Sequence, residues 1–135
     1  MADNTFMLEV ITPENILYKD EIQFLVAPGD EGELGVLKSH APIVASLKIG
    51  VLKYKDPGGT QKKMAMSGGF LEVIDNTARV LAETAELAGD IDVMRANEAK
   101  QRAEMRLSQQ QADVNMVRAE LALQRAIARI KAAGQ

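Results

Sequence analysis

The sequence predicts an amino-terminal antiparallel β-sandwich of eight to ten strands followed by a carboxy-terminal antiparallel hairpin of two helices. Three observations predict it. Apolar residues alternate with period two in the first part of the chain, the pattern of a strand with one buried face. Gly and Pro recur up to Gly89, after which only Gly134 remains. Charge changes sign at the same point: residues 1–89 carry 8 Lys and Arg against 13 Asp and Glu, and residues 90–135 carry 8 against 6, so −5 and +2 add to the net −3 of the 135-residue chain. The boundary falls near residues 84–91, giving a sandwich over residues 1–86 and a hairpin over residues 87–135.

Taken in order, Phe6, Leu8 and Val10 alternate with Thr5, Met7 and Glu9 in the first strand, and Ile22, Phe24 and Val26 alternate with Glu21, Gln23 and Leu25 in a later one. Breakers follow at Thr12-Pro13, Pro28-Gly29-Asp30, Gly35, Ala41-Pro42, Gly50, Asp56-Pro57-Gly58-Gly59, Gly68-Gly69 and Asp75-Asn76, each a turn or bulge signal. Val51 to Lys55 and Gln61 to Met66, joined by Asp-Pro-Gly-Gly, predict one hairpin, and Phe70 to Ile74 with Arg79 to Ala82 predict another. Many short strands with no helix between them imply a sandwich or barrel. From Asp92 to Gln111 and from Asp113 to Ala133 there is no Gly or Pro, and strong helix formers dominate. Asp90 or Asp92 can cap the first helix, and Ser108 to Asp113 is the place to turn.

Composition narrows the function. With no Cys and one His, His40, thiolate zinc sites, iron–sulfur clusters, His-rich metal sites and cysteine nucleophiles are excluded. No Gly-rich loop lies between a strand and a helix to cradle phosphate. No Ser has a general base at hand, because His40 sits in a turn before Ala41-Pro42. The chain is therefore read as non-catalytic. Nucleic-acid binding fits poorly with an acidic first half and five aromatics. The amino terminus lacks a basic and apolar leader, and no run approaches the roughly 18 apolar residues that span a bilayer, so a soluble intracellular protein is expected.

The hairpin carries the informative pattern. At about 100° per residue, Arg95, Arg102 and Arg106 fall on one side of the first helix, and Arg118, Arg125 and Arg129 do so on the second. Beside them run Ala96-Ala99-Ala103 and Ala119-Ala122-Ala126, narrow enough for two helices to approach closely. The second helix offers Glu120 as its counter-charge, so two Arg rows side by side repel unless an anion or an acidic partner lies between them. A polyphosphate suits the Arg fork; an acidic protein surface suits it equally. Packing on Ala buries little apolar area, so the folded-back hairpin is marginal on its own, and a ligand that binds only that form can switch it.

Gly32-Glu33-Leu34-Gly35 with His40-Ala41-Pro42, Ser67-Gly68-Gly69-Phe70-Leu71-Glu72-Val73, and Leu81-Ala82-Glu83-Thr84-Ala85 together resemble the epsilon subunit of bacterial F-type ATP synthase over essentially the whole chain. Ile91-Asp92-Val93-Met94-Arg95-Ala96 is similar to the Ile/Leu-Asp-x-x-Arg-Ala motif with which some epsilon subunits bind ATP. The resemblance implies a rotor subunit of the central stalk. Its sandwich contacts gamma and the c-ring, and its hairpin permits rotation when folded down. Extended toward the alpha and beta subunits, the hairpin inhibits ATP hydrolysis. It also implies ATP, with or without Mg2+, as a regulatory ligand favouring the folded form. Glu86, Ile91, Asp92, Arg95 and Ala96 would then surround base and ribose, with Arg102, Arg125 and Arg129 on the phosphates. The complex would sit on the cytoplasmic face of the cell membrane, touched by this chain only through its partners.

Each role has a plainer competitor. Asp92 serves equally as a helix cap, Glu86 as a solvated linker carboxylate, and Ile91 and Ala96 as packing against the sandwich. Arg106, Arg118 and Lys131 are left to solvent or to the beta subunit. The alternative function is a non-enzymatic adaptor whose Arg-rich hairpin binds an acidic protein without nucleotide.

Overall fold

In the computed structural model the described residues are 4–109 and 113–134. Eight strands precede two helices: β1 Phe6–Ile11, β2 Ile16–Ile22, β3 Phe24–Gly29, β4 Gly32–Val36, β5 Ile43–Lys55, β6 Gln61–Ile74, β7 Thr77–Ala82 and β8 Ala85–Leu87, then α1 Val93–Ser108 and α2 Asp113–Ala132. The ladder is continuous in the order β2-β1-β7-β6-β5-β3-β4, with β8 added to β6. All pairs are antiparallel except β1 with β7, which run parallel.

One core gathers residues from seven of these strands, among them Phe6, Leu8, Ile22, Leu25, Val36, Leu52, Tyr54, Met64, Leu71 and Val80. A single ladder encloses one core only by folding over itself, and the long strands show where it does so. In β5 the buried positions run Leu47, then Leu52 and Tyr54; in β6 they run Met64 and Met66, then Leu71 and Val73. Side chains alternate faces along a strand, so inward parity switches in both partners at once. The switch coincides with Gly50 in β5 and with Gly68 and Gly69, at φ +100° and +146°, in β6. Both strands thus belong to both layers.

The two expected hairpins are the β5–β6 and β6–β7 connections. Asp56 closes the first, its Oδ1 accepting the Thr60 N–H at 2.8 Å. The second turns on Asp75 and Asn76 at φ +50° and +59°, the geometry of a type I′ turn. The expected face of Ile22, Phe24 and Val26 is corrected. Ile22, Leu25 and Ala27 are fully buried instead, because the segment is two strands. Gln23 interrupts them, its N–H donating to the Lys55 carbonyl at 2.8 Å, and β3 resumes with the opposite parity.

Tyr54 lies in the core with Tyr18 tilted against it, ring centroids 5.0 Å apart. Burial foremost, with Tyr54, Asp20 and Asp56 nearby, pushes the Tyr18 phenol up to about 12. A phenol reluctant to ionise when folded contributes stability that is complete below its ordinary value near 10 and is lost as pH rises through about 12. Burial is the leading cause, so an ultraviolet phenolate titration of Tyr54→Phe, which leaves Tyr18 as the one phenol, should show it ionising well above 10. Ionisation near 10 in the folded protein would contradict it.

Helix α1 begins one residue later and ends three earlier than expected, and α2 begins where expected and ends one residue earlier; residues 110–112 of the expected turn lie outside the described residues. Asp92 is the cap of α1, its Oδ1 accepting the Arg95 N–H at 3.1 Å. The Ala stripes form the helix seam: Ala96, Ala103, Ala119 and Ala126 are buried, while Ala99 and Ala122 are partly so. On its other side α2 packs on β5 and β6, where Ala132 joins Ala65 and Ile91 in a second apolar cluster edged by Val51 and Ala133.

Candidate functional site

The site is assembled by three elements. Strand β8 pairs with β6 so that Glu86 stands opposite Ala65, and directly opposed residues share a face. Ala65 is in the cluster beneath α2, so Glu86 is presented to α2, where its Oε1 accepts a hydrogen bond from Arg129 Nε at 2.8 Å. The two side chains are 41% and 35% exposed, which keeps this ion pair in the range of about 0–1 kcal/mol. Arg125, one turn earlier on α2, lies on the same flank.

Two compartments flank that pair. The first, about 320 Å³, is lined by Glu86, Asp92, Arg95, Ala96, Ala99, Arg102 and Arg129. The second, about 250 Å³, is lined by Ala65, Met66, Ser67, Thr84, Ala85, Glu86, Arg125 and Arg129. Glu86 and Arg129 belong to both. The compartments therefore bring together seven of the eight nominated residues: Glu86, Asp92, Arg95, Ala96 and Arg102 around one, Arg125 in the other, and Arg129 between. Four guanidinium groups face two carboxylates, a lining with a cationic excess suited to an anion with several oxygens.

Ile91 is placed differently. It is 8% exposed and packs with Ala65 and Ala132, outside the lining of either compartment. It occupies the position before the cap, where an apolar side chain anchors the entry of a helix. Arg106 and Arg118 are exposed and line neither space. The residues that sequence reasoning passed over are Ser67 and Thr84, whose hydroxyls hydrogen-bond each other at the edge of the second compartment. Both stand in segments singled out for other reasons, Ser67-Gly68-Gly69 and Glu83-Thr84-Ala85. Among the described residues no group of three or more His, Asp or Glu is placed to hold a metal ion.

The walls of the first come from β8, α1 and α2 and those of the second from β6, β8 and α2, so both spaces exist only while the hairpin lies on the sandwich. That is the geometry a conformational ligand needs. Among the described residues no helix is long and apolar enough to cross a membrane.

Known proteins share this arrangement. Residues 5–88 match the family model for the β-sandwich domain of the ATP synthase delta/epsilon chain, and residues 90–134 match that for its long α-helix domain. The ATP synthase epsilon chain of Syntrophomonas wolfei is 65% identical over 132 residues, covering 98% of this chain and 96% of its own. That of Desulforamulus reducens is 52% identical over 129 residues, covering 96% and 97%. The fold is also that of a chain in the Euglena gracilis mitochondrial ATP synthase, with a TM-score of 0.84 at 24% identity over 97% of this chain and 82% of that one. A chain from the central stalk and c-ring of the Tetrahymena thermophila mitochondrial enzyme gives 0.60 at 15% identity, over 94% and 95%. With both halves matched and bacterial relatives at this identity along nearly the full length, the chain belongs to the epsilon-chain family of bacterial F-type ATP synthases.

Proposed function

We propose that this non-catalytic ATP synthase subunit couples gamma to the c-ring in the central stalk and regulates ATP hydrolysis through its hairpin, whose folded form is held by bound ATP. The observation that carries the nucleotide reading is the pair of neighbouring compartments that share Glu86 and Arg129, one also lined by Asp92, Arg95 and Arg102 and the other by Arg125. ATP bridging them touches both helices and the sandwich. It stabilises the folded hairpin by RT ln(1 + [L]/Kd), about 2.7 kcal/mol at 100 times Kd, which exceeds the worth of the Glu86–Arg129 ion pair. Any Mg2+ would ride on the phosphates, with Glu86 and Asp92 as the nearby carboxylates. Released, the cationic hairpin extends toward the alpha and beta subunits.

The sandwich has its own candidate docking face. Val44, Phe70 and Leu81 are 71%, 56% and 48% exposed around a ladder in which Arg79 pairs with Glu9 at 2.8 Å and Glu72 at 3.0 Å. Apolar side chains exposed side by side mark interaction surfaces, and gamma is the partner this reading assigns there. Such docking places the subunit peripherally on the cytoplasmic side of the membrane.

Calorimetry on the purified chain tests the site. ATP should bind more tightly than ADP, and Arg125→Ala should weaken it by about tenfold or more, the loss of one charge-assisted hydrogen bond. Asp92→Ala should weaken it and also loosen the first turn of α1. No binding by the wild type, or binding in both variants as tight as in the wild type, would overturn the nucleotide reading and favour an acidic protein as the hairpin's partner.

A further inference from the structure

Helix α2 has a second flank. Arg125 and Arg129 face the compartments described above, whereas Gln124, Ile127, Ala128 and Lys131 wall a separate cavity of about 660 Å³ against β3, β4, β5 and β6. Residues 124, 128 and 131 lie within about 60° of one another around the helix and about 60–120° from Arg125, so α2 divides the two spaces. The sandwich supplies an apolar floor of Pro28, Ile49, Gly50 and Val51, joined by Ile127 and Ala128 from the helix. Around it stand four ammonium groups, Lys48, Lys53, Lys63 and Lys131, against one carboxylate, Glu33. Glu33 is engaged by Lys53 at 3.7 Å. No ion pair of Lys48, Lys63 or Lys131 is found among the described residues.

An apolar floor inside a cationic rim selects for a molecule with both parts. The volume is that of a small-molecule site, and three cations with no ion pair among the described residues disfavour a neutral or cationic occupant. We infer that this cavity is a second ligand site, for a small amphipathic anion with an apolar body and a phosphate, sulfate or carboxylate head, and that its occupancy holds the hairpin down independently of nucleotide. The second part follows from the walls. The sheet supplies the larger share of them and α2 the rest, so an occupant that needs both binds only the folded hairpin. Two ligands that each favour the same form reinforce one another by the same factor in both directions.

Decyl phosphate below its micelle-forming concentration is a suitable probe for the full-length chain. It should bind with ATP present as well as absent, slow amide hydrogen exchange in α2, and bind at least about tenfold more tightly than inorganic phosphate or decanol alone. The double variant Lys63→Gln/Lys131→Gln, which removes two exposed or half-exposed charges without touching the core, should weaken it by about tenfold or more and leave ATP affinity unchanged. Vesicles of phosphatidylglycerol decide the source of the head group: capture that depends on the same two lysines assigns a membrane lipid, and its absence assigns a free amphiphile. Failure of decyl phosphate to bind, its displacement by ATP, or undiminished binding by the double variant would overturn the inference.

Discussion

Gly69→Ala should destabilise the sandwich more than a methyl group added at Gly35, Gly50 or Gly68. Gly69 sits in β6 at φ +146°, a region that L-residues avoid at a cost of about 1–3 kcal/mol. Steric overlap costs more. A Cβ there would lie 2.9 Å from the Leu81 carbonyl carbon and 3.0 Å from the Ala82 Cα, with the Leu81 oxygen closer still. All three are backbone atoms of β7, the strand paired with β6 at this position, so no rotamer relieves the clash and the ladder itself must shift. Gly69 also lies where β6 passes from one layer to the other, so the damage reaches both halves of the core. A loss of about 4 kcal/mol or more is expected against a total of about 5–15, or about 20 °C in Tm for a domain of this size. Gly35→Ala is the matched control. A Cβ at Gly35 meets nothing within 4 Å, and its effect should stay within about 0.5 kcal/mol. A melting curve for Gly69→Ala within a few degrees of wild type would mean that β6 and β7 adjust more freely than their backbone contact allows.

Legibility in the sequence tracked how local each constraint was. Phe6, Leu8 and Val10 are legible as a strand because one face of β1 is buried along its whole length. The run from Glu21 to Val26 misleads because Gln23 ends one strand and opens another without a Gly or Pro to announce it. The parity switches in β5 and β6 leave their trace only as Gly50 and Gly68-Gly69, which read as turns but mark bends within continuous strands. In the hairpin, helical period alone places Arg95 with Arg102 and Arg125 with Arg129. Their convergence depends on which flank of α2 meets the sandwich, and that is settled by packing: Ala132 against Ala65 and Ile91, and the β8 ladder that aims Glu86. Ile91 shows the limit in the other direction. Its neighbours Asp92 and Arg95 reach the compartments, yet an apolar side chain immediately before a helix cap gains more by burial, about 1.5–3 kcal/mol for an aliphatic group of its size, than by lining a wet, cationic space.

If the proposed nucleotide site is correct, Arg129→Glu should uncouple the hairpin from the sandwich and abolish ATP binding together, and a charge swap should separate the two effects. In the folded form Arg129 donates to Glu86 and lines both compartments. Reversal sets two carboxylates against each other and removes one of four guanidinium groups. The first effect is modest, because the pair is half-exposed and worth about 0–1 kcal/mol; repulsion of similar size would give an undocking bias of about 1–2 kcal/mol. The second is larger. Losing a charge-assisted hydrogen bond to phosphate costs about 1.5–3 kcal/mol, and placing a negative charge beside the phosphates adds to it, for a total near a hundredfold or more in Kd. Glu86→Arg/Arg129→Glu restores the ion pair with its direction reversed. It should recover the docked hairpin, read as hydrogen-exchange protection in α2, but not ATP affinity, since the cation now projects from β8. If the swap recovers both, Arg129 contributes only the docking contact, and the phosphates must be met by Arg95, Arg102 and Arg125. If it recovers neither, the Glu86–Arg129 geometry depends on neighbours such as Thr84 and Ala65 more than on charge. The outcome expected here, protection without affinity, would separate the latch from the ligand site although the two share a side chain.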